Sequence, residues 1–233
     1  IIFVHNTKHF FLHYIYMKAT INIPESLSEI TLAQYQKWYK ISETNEDDNF
    51  LKQKMIEIFC NVPLKTVLLI KATDVDNITN TINNLFKEEP KFIDKFTYKG
   101  IRFGFIPKLD EITFGEYVDL DTYLPEWNLM HKAMNVLYRP ITLEKKNRYL
   151  IEDYEGADVY DLKDVSLDIV FSSIVFFYNL RKELLKHIMN YLAKQKNLNL
   201  PLHLKAFLKN GDGINQFMDW HRVMSGGLMK SPI

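Results

Sequence analysis

Apolar residues recur along this chain at two spacings, one helical and one extended, and the switches between them mark its elements. Ala19–Ile23 alternates and is stopped by Pro24, which predicts a short edge strand. Thr31 followed by Gln34 has the spacing of a capping box and opens a helix to about Ile41. The polar run 42–49 reads as a loop ending with Asp48 as N-cap. Leu51, Met55, Ile58, Phe59 and Val62 then form one apolar stripe, and Pro63 ends that helix. Residues 64–70 form a short apolar turn or helix. Thr73 caps a further helix with Val75, Ile78, Ile82, Leu85 and Phe86 on one face.

From Pro90 the pattern turns extended. Residues 91–98 and 101–106 are β-rich runs joined by Lys99-Gly100, a hairpin closed by Pro107. Thr113 with Glu116 makes a second capping box, whose helix breaks near Pro125. Trp127, Met130, Met134, Leu137 and Tyr138 line a helix face ended by Arg139-Pro140. Residues 141–143 and 149–154 flank the polar turn 144–148, a second hairpin. The longest helix is expected from Ser166 to about Lys194, with its first half apolar almost all round and therefore buried. Its uncharged run between Asp168 and Arg181 is twelve residues, short of the roughly 18–20 that span a bilayer. Residues 201–209 and 214–224 are two further short helical patterns around Gly211-Asp212-Gly213.

The fold class this predicts is mainly α with two small β-hairpins, an α+β arrangement. A helical module covers 17–90, a mixed hairpin and helix region 91–160, and a helical region with a long buried helix 161–233. No linker-like stretch separates them, so residues 17–225 are read as one compact body. Met17 opens what reads as an ordinary N-terminus, and residues 1–16 are read as a non-native upstream segment. Without them 217 residues and a net charge of −1 remain. His5, His9 and His13 share a helical spacing, but they interrupt the apolar stretch that a signal peptide would need.

Composition narrows the function classes. The 233 residues carry 29 Lys and Arg against 29 Asp and Glu, with 47% hydrophobic and 14% aromatic residues. That balance suits a globular, soluble chain and excludes disorder as its main state and a strongly basic nucleic-acid footprint. Cys60 is the single cysteine, so no intramolecular disulfide forms; beside Phe59 it reads as a buried thiol. The serine-hydrolase elbow, the P-loop and the zinc-protease motif are absent from the sequence. Gly211-Asp212-Gly213 lacks the third glycine of a dinucleotide loop, and Asn77-Ile78-Thr79 lies mid-helix where glycosylation does not reach.

Among the acids, Asp119 and Asp121 would diverge by about 200° on a helix, and Glu116 is already engaged as a capping partner. Asp158, Asp161 and Asp164 precede the long helix, where its partial positive charge favours carboxylates. His131, His187, His203 and His221 have no ligand spacing. No catalytic residue, cofactor or metal site is therefore assigned. What remains is aromatic surface: Tyr35, Trp38, Tyr39, Tyr117, Tyr123, Trp127 and Trp220 combine large contact area with a polar tip, which suits protein interfaces as well as cores.

The run from Phe105 to Tyr117, then Asp119-Leu120-Asp121-Thr122-Tyr123, resembles a family of uncharacterised proteins encoded by tailed bacteriophages. So do residues 131–134, 137–140 and 176–180, with Tyr149, Tyr154 and Gly156. The resemblance covers about residues 20–195 and implies a virion morphogenesis protein similar to tail-assembly chaperones or minor tail factors. It implies a phage tail protein as partner, with self-association also open, no cofactor, and the host cytoplasm, or alternatively the virion, as its location. A structural virion component, such as a connector or minor tail subunit, is the second reading. A metal-dependent nucleic-acid enzyme using Glu116, Asp119 and Asp121 is the third. Membrane and nucleic acid are not expected partners.

Overall fold

Two threonines start two of the helices by the same local chemistry. The structure, a computed structural model, describes residues 21–177 except 89 and 147, together with residue 179. Thr31 accepts the backbone N–H of Gln34 while Gln34 accepts that of Thr31, and helix α1 (Leu32–Thr44) follows. The next two free N–H groups of α1 are satisfied from far along the chain. Leu32 N donates to Val165 O at 2.9 Å and Ala33 N to Lys163 O at 2.7 Å, while Leu167 N returns a bond to Ile30 O at 2.8 Å. This stitch fixes the start of α1 beside the start of a late helix.

Helices α2 (Asp48–Phe59), α3 (Leu64–Val67) and α4 (Ala72–Leu85) complete the N-terminal module. Two caps differ from expectation. Asp47, not Asp48, accepts the N–H of Phe50, and α4 starts one residue before Thr73 without a side-chain cap. Residues 21–23 form no strand against the described chain. α1 runs three residues past Ile41.

The two expected hairpins join into one four-stranded antiparallel sheet in the order β1-β2-β3-β4. Its strands are β1 (Lys95–Tyr98), β2 (Ile101–Phe105), β3 (Tyr138–Lys145) and β4 (Arg148–Ile151). The junction is β2 with β3, where Phe103 faces Pro140, Gly104 faces Arg139 and Phe105 faces Tyr138. The preceding helix ends at Leu137, so Tyr138, expected on its face, belongs with Arg139 and Pro140 to the strand that follows. Proline lacks only the donor: Pro140 O accepts Glu152 N at 3.0 Å.

Helices α5 (Phe114–Tyr123) and α6 (Met130–Leu137) lie between β2 and β3 in sequence and pack against each other. A seventh helix, α7, begins at residue 167 and is helical through residue 177. Leu167 and residues 169–174 are buried as expected for the start of the long helix, whereas residues 175–177 are half-buried and Asn179 is exposed. The remainder of that expected helix and the patterns at 201–209 and 214–224 lie outside the described residues, as do 1–16. No helix among the described residues is long and apolar enough to cross a membrane.

The core is aromatic at its centre. Tyr35 of α1 meets Trp127 at 4.6 Å between ring centroids, and Phe86 and Phe171 at 5.7 Å each. One side chain thus joins the N-terminal module, the turn before α6 and α7. Cys60 is buried at the edge of this core, and burial pushes its thiol up to about 11.

Gly104 serves the sheet by having no side chain. A Cβ there would lie 2.5 Å from Cε2 of Tyr149 and 3.0 Å from Cγ1 of Ile141. The Tyr149 ring cannot swing away freely, because its hydroxyl donates to Phe105 O at 2.9 Å and Lys95 Nζ sits 5.4 Å from its centroid. Gly104→Ala is expected to destabilise the chain by about 1–3 kcal/mol through overpacking. Urea unfolding checks this, and the penalty should shrink in a Tyr149→Ala background.

Candidate functional site

Helix α5 is built with its polarity reversed. At about 100° per residue, Phe114, Gly115, Tyr117, Val118, Asp121 and Thr122 share one arc of about 160°, and all six are exposed. Phe114 is 81% exposed, whereas Glu116 on the opposite side is 3% exposed. Leu120 and Tyr123 are the apolar contribution to the inner face, packed against the core. A surface helix ordinarily turns such a pattern the other way, apolar inward and charged outward.

The buried carboxylate explains how the fold tolerates this. Glu116 Oε2 accepts the backbone N–H of Thr113 at 2.6 Å, completing the capping box, while Oε1 accepts Nη2 of Arg139 at 2.5 Å. Arg139, on β3, is itself 9% exposed. Its guanidinium lies 5.7 Å from the ring centroid of Tyr154, whose hydroxyl donates to Asp119 one turn along α5. Burial first, then the Asp119 carboxylate, holds the Tyr154 hydroxyl well above the ordinary tyrosine range. An ion pair to β3 and a tyrosine just past β4 thus hold Glu116 and Asp119 inward beside Leu120 and Tyr123, while Phe114, Tyr117 and Val118 face outward with Asp121 and Thr122. Nε of Arg139 has no hydrogen-bond partner among the described residues. Arg139, Tyr154 and Tyr160 also line an open cleft of about 730 Å³ beside β4, with Glu152, Asp153 and Glu155.

Gly115 adds a second anomaly. It sits in the first turn of α5, where glycine costs a helix roughly 0.5–1 kcal/mol relative to alanine. A Cβ there would meet nothing closer than Thr113 Oγ1 at 4.0 Å. No contact within the described chain requires the glycine.

The three acids weighed for metal chemistry do not converge. Glu116 is ion-paired inside, Asp119 accepts from Tyr154, and Asp121 points to the outer arc. Among the described residues no three of His, Cys, Asp and Glu come together around an ion-sized gap. The aromatic residues expected at a partner surface divide sharply. Tyr35, Trp38 and Trp127 are buried, and this corrects their reading as interface residues: α1 turns Tyr35 and Trp38, and the turn before α6 turns Trp127, into the central ring cluster. Tyr39 and Tyr123 are half-buried, Tyr117 is exposed on α5, and Trp220 lies outside the described residues. The sequence reading missed Phe114 and Val118. The signal was present: a capping box fixes Thr113 as N-cap, and a wheel drawn from there puts Glu116 opposite Phe114 and Val118.

His131 on α6, with Gln36 against its ring, adds a pH dependence to the stability of the fold. Burial, and then the nearby Lys163 and Lys132, lower its pKa from 6.5 against the opposing pull of Asp158 and Asp161. Gln36 Nε2 donates to its Nδ1 at 3.3 Å and to Trp127 O at 2.6 Å. The folded state therefore favours the neutral ring. Its contribution is complete above the unfolded value and is lost as pH falls from there through the lower folded value, since the unfolded chain takes up the proton first. The melting temperature should fall from about pH 7 to about pH 5 more steeply in the parent chain than in His131→Gln.

Comparisons with protein-family models, with curated proteins and with solved structures return no match to this chain.

Proposed function

We propose that this protein works by protein–protein contact in the assembly of a tailed-phage virion, as a tail-assembly chaperone that holds an apolar surface of a tail protein until it polymerises. The observation that carries the reading is the reversed polarity of α5: Phe114, Tyr117 and Val118 face outward while Glu116 is buried. Exposed contiguous apolar surface on a folded chain marks a contact surface more often than a packing accident. The same helix lies inside the stretch, Phe105 to Tyr123, that resembles tailed-phage proteins. Glu116 and Asp119 are occupied by Arg139 and Tyr154, which supports a structural role for both acids and not one in turnover.

The test is recovery of the tagged chain from phage-infected host cells, with mass spectrometry of what accompanies it and of mature particles. A chaperone brings down a tail component and is missing from finished virions. Retention in the particle would make the chain a connector or minor tail subunit instead. Recovery with no virion protein would contradict the proposal.

A further inference from the structure

Resting on the reading of α5 as a contact face, we infer that its occupant is a basic amphipathic helix of another polypeptide, which lays its apolar stripe along Phe114, Tyr117 and Val118. Three observations lead there. The first is charge. From residue 109 to 131 the chain has six acids and no Lys or Arg. Glu116 and Asp119 are used internally, and Glu111 pairs with Lys108 at 2.7 Å. Asp110, Asp121 and Glu126 are left as exposed carboxylates, with Asp121 on the apolar arc itself, while Lys132 lies over the ring of Tyr123 on the other side of α5.

The sequence of the described part of the chain has the same sign. Residues 21–180 hold 18 Lys and Arg against 26 Asp and Glu, a net charge of −8 hidden by the neutrality of the whole sequence. A negative surface steers a positive partner toward itself and repels an acidic one, which is how electrostatics selects among equally apolar ligands.

The second is shape. α5 has ten residues, about 15 Å of helix, and its outer arc presents Phe114, Tyr117 and Val118 at i, i+3 and i+4. That row is the complement of another helix, whose own i, i+3, i+4 ridge fits beside it. The third is Gly115. A bare position next to Phe114, unexplained by any neighbour in the described chain, lets a partner backbone approach closely.

The experiment uses the full chain and two synthetic helices with identical leucine stripes, one with lysine and one with glutamate on the polar face. Affinity is measured by fluorescence anisotropy at two salt concentrations, and the binding face by hydrogen exchange. The lysine peptide should bind, weaken as salt rises and slow exchange in α5, while the glutamate peptide should fail to bind. Phe114→Ser combined with Tyr117→Ser should weaken the lysine peptide by roughly tenfold or more, and Asp121→Lys should weaken it without loss of melting temperature. Equal binding of both peptides, or full affinity in the double variant, would overturn the inference. So would crosslinks from α5 to residues 181–233 of the same chain or to a second copy, which would assign the face to this protein itself. If the double variant recovers the same virion protein from infected cells as the parent chain does, the assembly role stands and this surface is the wrong one. If the parent recovers none, the assembly role itself fails.

Discussion

Arg139→Met is expected to destabilise the protein by about 3–5 kcal/mol, the penalty for leaving a buried carboxylate without its cation. Glu116 has a side-chain exposure of 5% and, among the described residues, the Thr113 N–H as its other partner. Methionine fills much of the volume of the arginine stem, so the loss reports the charge and not a cavity. Adding Glu116→Gln to Arg139→Met should recover a large part of the loss. The amide oxygen of glutamine can still cap Thr113, and no buried charge is left. Glu116→Gln alone should be worse than the pair, since it strands the Arg139 guanidinium, whose Nε already has no hydrogen-bond partner among the described residues. A double-mutant cycle in urea measures all three. A penalty below about 1 kcal/mol for Arg139→Met would mean that water reaches the pair as at an ordinary surface salt bridge.

Tyr35→Ala is expected to lose about 3–5 kcal/mol, as removal of a fully buried aromatic ring does. The ring contacts Trp127, Phe86 and Phe171, so its removal loosens α1 from α4, the turn before α6 and α7 together. Tyr117→Ala should change stability by no more than about 0.5 kcal/mol, because an exposed side chain away from caps and pairs contributes little. Equilibrium unfolding of the two variants separates the aromatic residues that hold the fold from those free to meet a partner. Similar losses at both positions would mean that α5 sits differently from its described place.

Local chemistry made much of the architecture readable. Both capping boxes, Thr31 with Gln34 and Thr113 with Glu116, lie where the sequence puts them, because a cap is a short-range hydrogen-bond pattern. The hairpin about Lys99-Gly100 was legible for the same reason: both residues take positive φ, 48° and 80°. Asp47 and Asp48 are not separable as caps from sequence, because adjacent acids offer the same chemistry one residue apart. The joining of two hairpins into one sheet was not legible, since pairing Phe103 with Pro140 depends on where α5 and α6 return the chain.

The site was half legible. Tyr117 was marked as a contact residue, but so were Tyr35, Trp38 and Trp127, and composition alone cannot separate a ring that fills the core from one that faces water. Glu116 was read as a capping partner, yet nothing local announces Arg139 twenty-three residues away as its cation. That long-range pair is what holds Glu116 inward on α5 while Phe114 faces outward.

Hydroxyl-radical footprinting of the free, full-length chain tests the outward placement of that face most directly. Phe114 and Tyr117 should be oxidised many times faster than Tyr35 and Tyr138, which are fully buried rings of the same reactivity class. Labelling of Phe114 and Tyr117 as slow as that of Tyr35 would mean that the face is covered within the molecule, and the account of α5 as a binding surface would be wrong.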